Sequence, residues 1–183
     1  MKNKAHDIST YDFSEGETFL FDANVWFYLF PGPSGSLPHY MRSYSDALKR
    51  MMTAGASVAL DAVVLSEYLN RYCRIEWNAL HKGNYSDFKV FRCSSDFSDV
   101  GQSAAFFAAR ILSISLAYDL PFSQVDIKQV ISDFESGLSD FNDGLLSQTC
   151  RYHGWKMVTN DKDFSNGGIE VLTSNPVLLR ACS

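Results

Sequence analysis

The chain alternates short apolar runs with segments of helical period, and few folds accommodate that alternation. Residues 18–22 (TFLFD) are apolar and aromatic and end in an acid, the pattern of a strand buried on both faces. Residues 57–60 (SVAL), 155–159 (WKMVT) and 169–172 (IEVL) read the same way. Between them, residues 39–55 carry Tyr40, Met41, Tyr44, Ala47, Leu48, Met51 and Met52 three and four apart, which predicts an amphipathic helix stopped by Gly55. From Ala62 to about Ala79, Val64, Leu65, Tyr68, Leu69, Tyr72 and Ile75 keep the same period and place Glu67 early on a long helix. Strands alternating with helices predict a mostly parallel sheet covered on both faces, with ligands bound at the carboxyl ends of its strands.

The remaining segments fit around that frame. A helix is expected from Val25 to Pro31, followed by the loop PGPSGSLP at 31–38. Residues 82–102 are mixed and Ser/Asp-rich, 104–118 form an apolar helix, and 124–135 form an amphipathic one. Residues 140–152 read as a helix stopped by Gly154. With 183 residues, 46% of them hydrophobic, the chain is expected to be a single domain, 1–183, with 76–135 as a helical insertion.

Several function classes fall away. A formal charge of −5 argues against a broad basic surface for nucleic acid, so any such contact is local. The N-terminal residues lack the apolar core of a secretory signal, and the run 19–30 is broken by Asp22 and Asn24 and falls short of the roughly 20 residues that span a bilayer. Cys73, Cys93, Cys150 and Cys182 are scattered, which fits reduced thiols and a cytoplasmic protein. His6, His39, His81 and His153 form no zinc-binding pair, and surface or helix-end roles are expected for them. No serine-hydrolase, dinucleotide or P-loop motif occurs.

Acids stand where the predicted frame puts ligands. Asp22 ends one strand, Asp161 lies just past another, and Glu67 and Asp143 lie near the starts of helices that leave the same rim. Carboxylates gathered in one cleft repel, raise one another's pKa and call for a cation. Oxygen-only ligands suit Mg²⁺ or Mn²⁺, which keep several waters and take few direct carboxylates. Such an ion activates water and neutralises charge on a phosphodiester.

The segments FLFDANVW, LDAVVLSEYLNR, DFNDGLLSQTC and MVTNDKDF resemble, in order, the four acidic motifs of PIN-domain nucleases, including VapC-type toxins. The resemblance covers residues 18 to 172 and maps the family's acids onto Asp22, Glu67, Asp143 and Asp161. Asn24, Asp140, Thr159 and Asp163 become accessory residues, with Asn24 and Thr159 tuning the metal's surroundings. The resemblance implies a three-layer α/β/α fold and a Mg²⁺- or Mn²⁺-dependent endoribonuclease with an RNA substrate. A toxin of this kind would also have a cognate antitoxin and form a homodimer.

Other readings stand beside it. Singly, Asp140 or Asp143 fits a helix cap, Glu67 a solvated face, and Asp161 and Asp163 a turn. Trp26, Phe27, Tyr28 and Phe30 fit a core better than a base-stacking surface, and Arg71, Arg74, Lys82, Lys89, Arg92 and Arg110 are a weak candidate phosphate rim. Rival functions are a catalytically silent PIN-like interaction module and a haloacid-dehalogenase-like phosphatase, whose second aspartate would here be Asn24.

Overall fold

The computed structural model describes residues 1–35 and 40–182. Its center is a six-stranded sheet in the order β1-β6-β5-β2-β3-β4, comprising β1 (Lys4–Asp7), β2 (Thr18–Phe21), β3 (Ser57–Asp61), β4 (Leu116–Tyr118), β5 (Lys156–Val158) and β6 (Glu170–Thr173). Every strand pairing is parallel, as the βα alternation requires. The helices are α1 (Ala23–Leu29), α2 (Met41–Thr53), α3 (Ala62–Glu76), α4 (Phe88–Arg92), α5 (Phe97–Ile114), α6 (Ile127–Glu135), α7 (Phe141–His153) and α8 (Pro176–Ala181). A single π-helical turn, Trp77–His81, prolongs α3.

From β2 the chain moves outward through β3 to β4, then returns past β2 to lay down β5 and β6 on its other side. The order therefore reverses between β2 and β5, and the crevice outside their carboxyl ends is where a parallel sheet of this kind binds ligands. Phe19, Leu20 and Phe21 of β2 and Met157 and Val158 of β5 are fully buried, which anchors that crevice in the core. Trp26, Tyr44, Tyr68 and Tyr72 pack around the strands with no exposed surface.

The turn chemistry follows the sequence. Gly55 and Gly154 take left-handed φ values of 74° and 66° just past α2 and α7, which costs glycine little. Asp61 caps α3 by accepting the Val63 N–H at 2.7 Å, so the helix starts as soon as β3 ends.

One expectation is corrected, and one strand is added to those expected. Residues 104–118 are not all helix: Ser115 turns extended, its hydroxyl caps Ile111 at 2.7 Å, and residues 116–118 pair with β3 as an edge strand. An apolar run shows the same composition in either state, and the open edge of β3 decides it. The 76–135 segment therefore contributes a strand to the sheet as well as helices. The polar residues 4–7, unassigned from sequence, form β1 because the open edge of β6 accepts them. The helix expected from His39 begins at Met41, and His39 and part of the 31–38 loop lie outside the described residues.

Candidate acidic site

Asp22 follows β2 immediately and occupies the N-cap position of α1 without capping it through its side chain. Only 7% exposed, it is held instead by side chains. Thr159, the residue after β5, donates its hydroxyl to Asp22 Oδ2 at 2.6 Å, and the Asn24 side-chain amide donates to the same oxygen. Asn24 also donates to Thr159 Oγ1 at 3.2 Å and accepts the Asn160 N–H at 3.2 Å. Asn24 is thus fully committed to supporting its neighbours, which leaves no role for it as a proton donor of the phosphatase kind.

Asp161 enters the same crevice two residues after Thr159, whose Oγ1 accepts the Asp161 N–H at 3.0 Å. The Asp161 carboxylate in turn accepts the Asp163 N–H at 2.9 Å, so the turn reading and the site reading describe one residue. Glu67 arrives from the second turn of α3 and Asp143 from the first turn of α7. Asp22, Glu67, Asp143 and Asp161 line one cleft of about 300 Å³. An adjoining outer cleft of about 760 Å³ is lined by the last three together with Asp140 and Asp163. Asp140 also caps α7, accepting the Asn142 N–H at 2.9 Å.

The acids act on one another. Burial drives the Asp22 carboxyl upward, the Thr159 bond pulls it back, and the charges of Glu67 and Asp161 push it on to about 6. Burial, followed by Asp22, Asp140, Asp161 and Glu67, lifts Asp143 to about 7. Burial also raises Glu67; Arg71 opposes this, and Asp140 and Asp161 reinforce it. Two carboxyls are therefore held near neutrality by burial and by other carboxylates, an arrangement that a hard cation relieves.

Among the described residues, no three His, Cys, Asp or Glu side chains are drawn tightly enough to enclose a metal ion by themselves. Mg²⁺ and Mn²⁺ do not need such a cage, since one or two carboxylates with waters and a substrate phosphate suffice. The oxygen-only donor set and its mutual repulsion fit such an ion. The described histidines stay apart: His6 pairs with Glu170 at 2.9 Å, while His81 and His153 end helical segments.

Sequence reasoning missed part of the cleft wall. Tyr28, Tyr40, Asn160, Lys162 and Asn175 line the inner cleft beside the acids, as does Arg71, one of the cations of the weak rim. Asn160 and Lys162 flank Asp161 in the fourth acidic segment, so position alone was a usable pointer to both. Tyr40 and Asn175 carried none, because helix packing and the Asn-Pro start of α8 explain them locally. Trp26 and Phe27 are core residues as expected, whereas Tyr28 is half-buried at the cleft.

Comparison with known proteins gives the site a setting. A family model described as PIN domain matches residues 19–169. The VapBC2 structure from Rickettsia felis, solved bound to a DNA fragment from its promoter, is similar with a TM-score of 0.56 at 15% identity, covering 85% of this chain and 98% of the other. PAE2754 from Pyrobaculum aerophilum gives 0.49 at 14% identity over 90% and 95% of the two chains. No match is found among curated protein sequences.

Proposed function

Because this chain belongs to the PIN domain family, we propose that it is a metal-dependent endoribonuclease using Mg²⁺ or Mn²⁺. One observation carries the reading: the acids of four separate segments line a single cleft at the point where the sheet order reverses. A divalent cation bound there supplies an activated water and neutralises charge on the phosphodiester.

The chain's own groups do the rest. Asp22, Glu67, Asp143 and Asp161 hold the cation, Asp140 and Asp163 add negative charge at the outer cleft, and Thr159 and Asn24 fix the Asp22 carboxylate. Arg71 and Lys162, at the wall of the inner cleft, receive substrate phosphates. Contact with nucleic acid is thereby local, in keeping with the net charge of −5.

The resemblance of the four acidic segments to VapC-type toxins extends the proposal to a toxin with a cognate antitoxin, acting as a homodimer, and the scattered cysteines extend it to the cytoplasm. Among the described residues no helix is long and apolar enough to cross a membrane. The alternative is a PIN-like module that keeps its acids and cuts nothing.

Purified protein incubated with labelled single-stranded RNA and Mn²⁺, beside Asp22→Asn and Asp143→Asn variants and an EDTA control, decides between them. Cleavage that needs metal and both acids supports the nuclease. Cleavage surviving EDTA or both substitutions removes the mechanism, and no cleavage at all favors the silent module.

A further inference from the structure

Glu76, the last residue of α3, is only 3% exposed and lies about two and a half turns beyond Glu67, away from the acids of the cleft. Both of its carboxyl oxygens are taken by one residue of the loop that follows α1: Ser34 donates its N–H to Oε1 at 3.0 Å and its hydroxyl to Oε2 at 2.8 Å. Gly32 passes so close that a Cβ there would run into Oε1. An acid is disfavoured near the carbonyl end of a helix and costly to bury unless its oxygens are bonded, so Glu76 is held in place by the loop it holds.

The latch reaches the cleft through a ring. The turn it fixes closes with the Gly35 N–H on the Gly32 carbonyl at 2.9 Å and lies against Phe27, a Cβ on Gly35 being 3.4 Å from that ring. The Tyr68 hydroxyl adds a second tie from α3, donating to the Phe30 carbonyl at 2.8 Å. Phe27 is 6% exposed, and the Arg71 guanidinium rests over it at 5.4 Å from the ring centroid. Arg71 stands one turn beyond Glu67 on α3 and lines the inner cleft. A long side chain loses rotamer freedom when it binds, so a ring that orients the guanidinium beforehand favours capture of a phosphate.

We infer that Glu76 is a positioning residue for phosphate capture: its bonds to Ser34 hold the 32–35 turn against Phe27, and that ring holds the Arg71 guanidinium ready at the cleft. The nuclease reading enters only in what Arg71 receives. Glu76 itself touches neither metal nor substrate, so its influence falls on KM and not on kcat.

The first readout needs no substrate. The Arg71 Nε–H proton is expected to resonate upfield of free arginine because of the Phe27 ring. More than half of that displacement is expected to disappear in Glu76→Ala and in Gly32→Ala, which leaves Glu76 in the chain but denies it room. Glu76→Gln, able to accept the Ser34 N–H and donate to its hydroxyl, is expected to keep the displacement. The second readout is cleavage of labelled single-stranded RNA in Mn²⁺. KM is expected to rise about tenfold in Glu76→Ala and Gly32→Ala, the scale of one charge-assisted hydrogen bond, with kcat within twofold and KM recovered in Glu76→Gln. Arg71→Ala is expected to raise KM by a similar factor, and Glu76→Ala added to it to raise KM no further. If Glu76→Ala does not fold, Gly32→Ala and Glu76→Gln carry both readouts. An Arg71 signal that stays put in the latch variants, a KM indifferent to them, or losses that add to that of Arg71→Ala overturn the inference. A displaced Arg71 signal in a protein that cuts no RNA keeps the positioning and removes the nuclease.

Discussion

Thr159 and Asp22 join the ends of two neighbouring strands through one hydroxyl, which donates to Asp22 Oδ2 at 2.6 Å. The same hydroxyl oxygen accepts the Asp161 backbone N–H at 3.0 Å and the Asn24 amide at 3.2 Å. Its one proton and two lone pairs are all used, and a single side chain sets the register between two of the acids.

Removing that hydroxyl with Thr159→Val takes away the main influence holding the Asp22 pKa down to about 6. Asp22 then titrates higher in the metal-free protein, so Mn²⁺ must displace its proton over a wider pH range, the acidic limb of cleavage against pH at limiting Mn²⁺ moves to higher pH, and the rate at pH 7 falls about tenfold. Cleavage rates from pH 5 to 9 in Mn²⁺ check this. A limb that stays put would mean Thr159 contributes only packing.

The raised carboxyls also fix how metal-free stability depends on pH. Asp22 and Asp143 sit at about 6 and about 7, above the 3.8 of a free side chain, so the folded state holds protons that the unfolded state has released. Stability from these groups therefore falls as pH rises from about 4 through 7 and stays low above that. Thermal melts in EDTA are expected to show a higher Tm at pH 5 than at pH 8. Millimolar Mn²⁺ is expected to restore the loss at pH 8 and do less at pH 5, where it must displace protons. A metal-free Tm that climbs from pH 5 to 8 would contradict the electrostatic account.

Asp143 and Asp140 separate function from capping. Asp143→Asn removes a carboxyl that burial, and then its acidic neighbours, lift to about 7, so cleavage is expected to fall at least a hundredfold while metal-free Tm at pH 8 rises. Asp140→Asn keeps a good cap for α7 and touches the cluster only from the outer cleft, so cleavage is expected to fall less than about threefold. Equal losses in the two variants would put Asp140 among the metal-holding acids. Parallel activity assays and melts give both readouts.

What the sequence made legible follows from which forces act locally. β2, β3 and β5 were readable because strands buried on both faces must be continuously apolar, and Gly55 and Gly154 marked helix ends through a backbone conformation few other residues adopt. β1 and β4 were not, because each is held by a neighbouring edge: Lys4–Asp7 is polar, and Leu116–Tyr118 continues an apolar helical pattern. The site divides in the same way. Asp22, Glu67, Asp143 and Asp161 stood out by their place in ordered segments, but Tyr40 meets them only because α2 packs beside α1. The double duty of Asp161, in a turn and in the cleft, needed coordinates.

At the opposite end of β2 and β5, Glu17 and Lys156 form an ion pair at 2.7 Å, with side chains only 18% and 22% exposed. Burial alone would raise the Glu17 pKa, but bonds from Lys156, from the Tyr11 hydroxyl at 2.7 Å and from the Ser14 N–H at 2.9 Å outweigh it and bring it down to about 2. Here the folded state has lost a proton that the unfolded state keeps below 4.5, so the stabilisation is complete above about that pH and disappears as pH falls through 2. Glu17→Gln is expected to cost roughly 1–3 kcal/mol at pH 6, a Tm drop of roughly 2–4 °C per kcal/mol, with the gap to the unsubstituted protein closing toward pH 2. This dependence has the opposite sign to that of the acidic cleft. The metal-free protein is therefore expected to be most stable near pH 5, where Glu17 is already ionised and Asp22 and Asp143 still hold protons. Melts of Glu17→Gln at pH 3, 5 and 7 test it, and a deficit that does not shrink with acid would show that Glu17 stabilises by packing instead of charge.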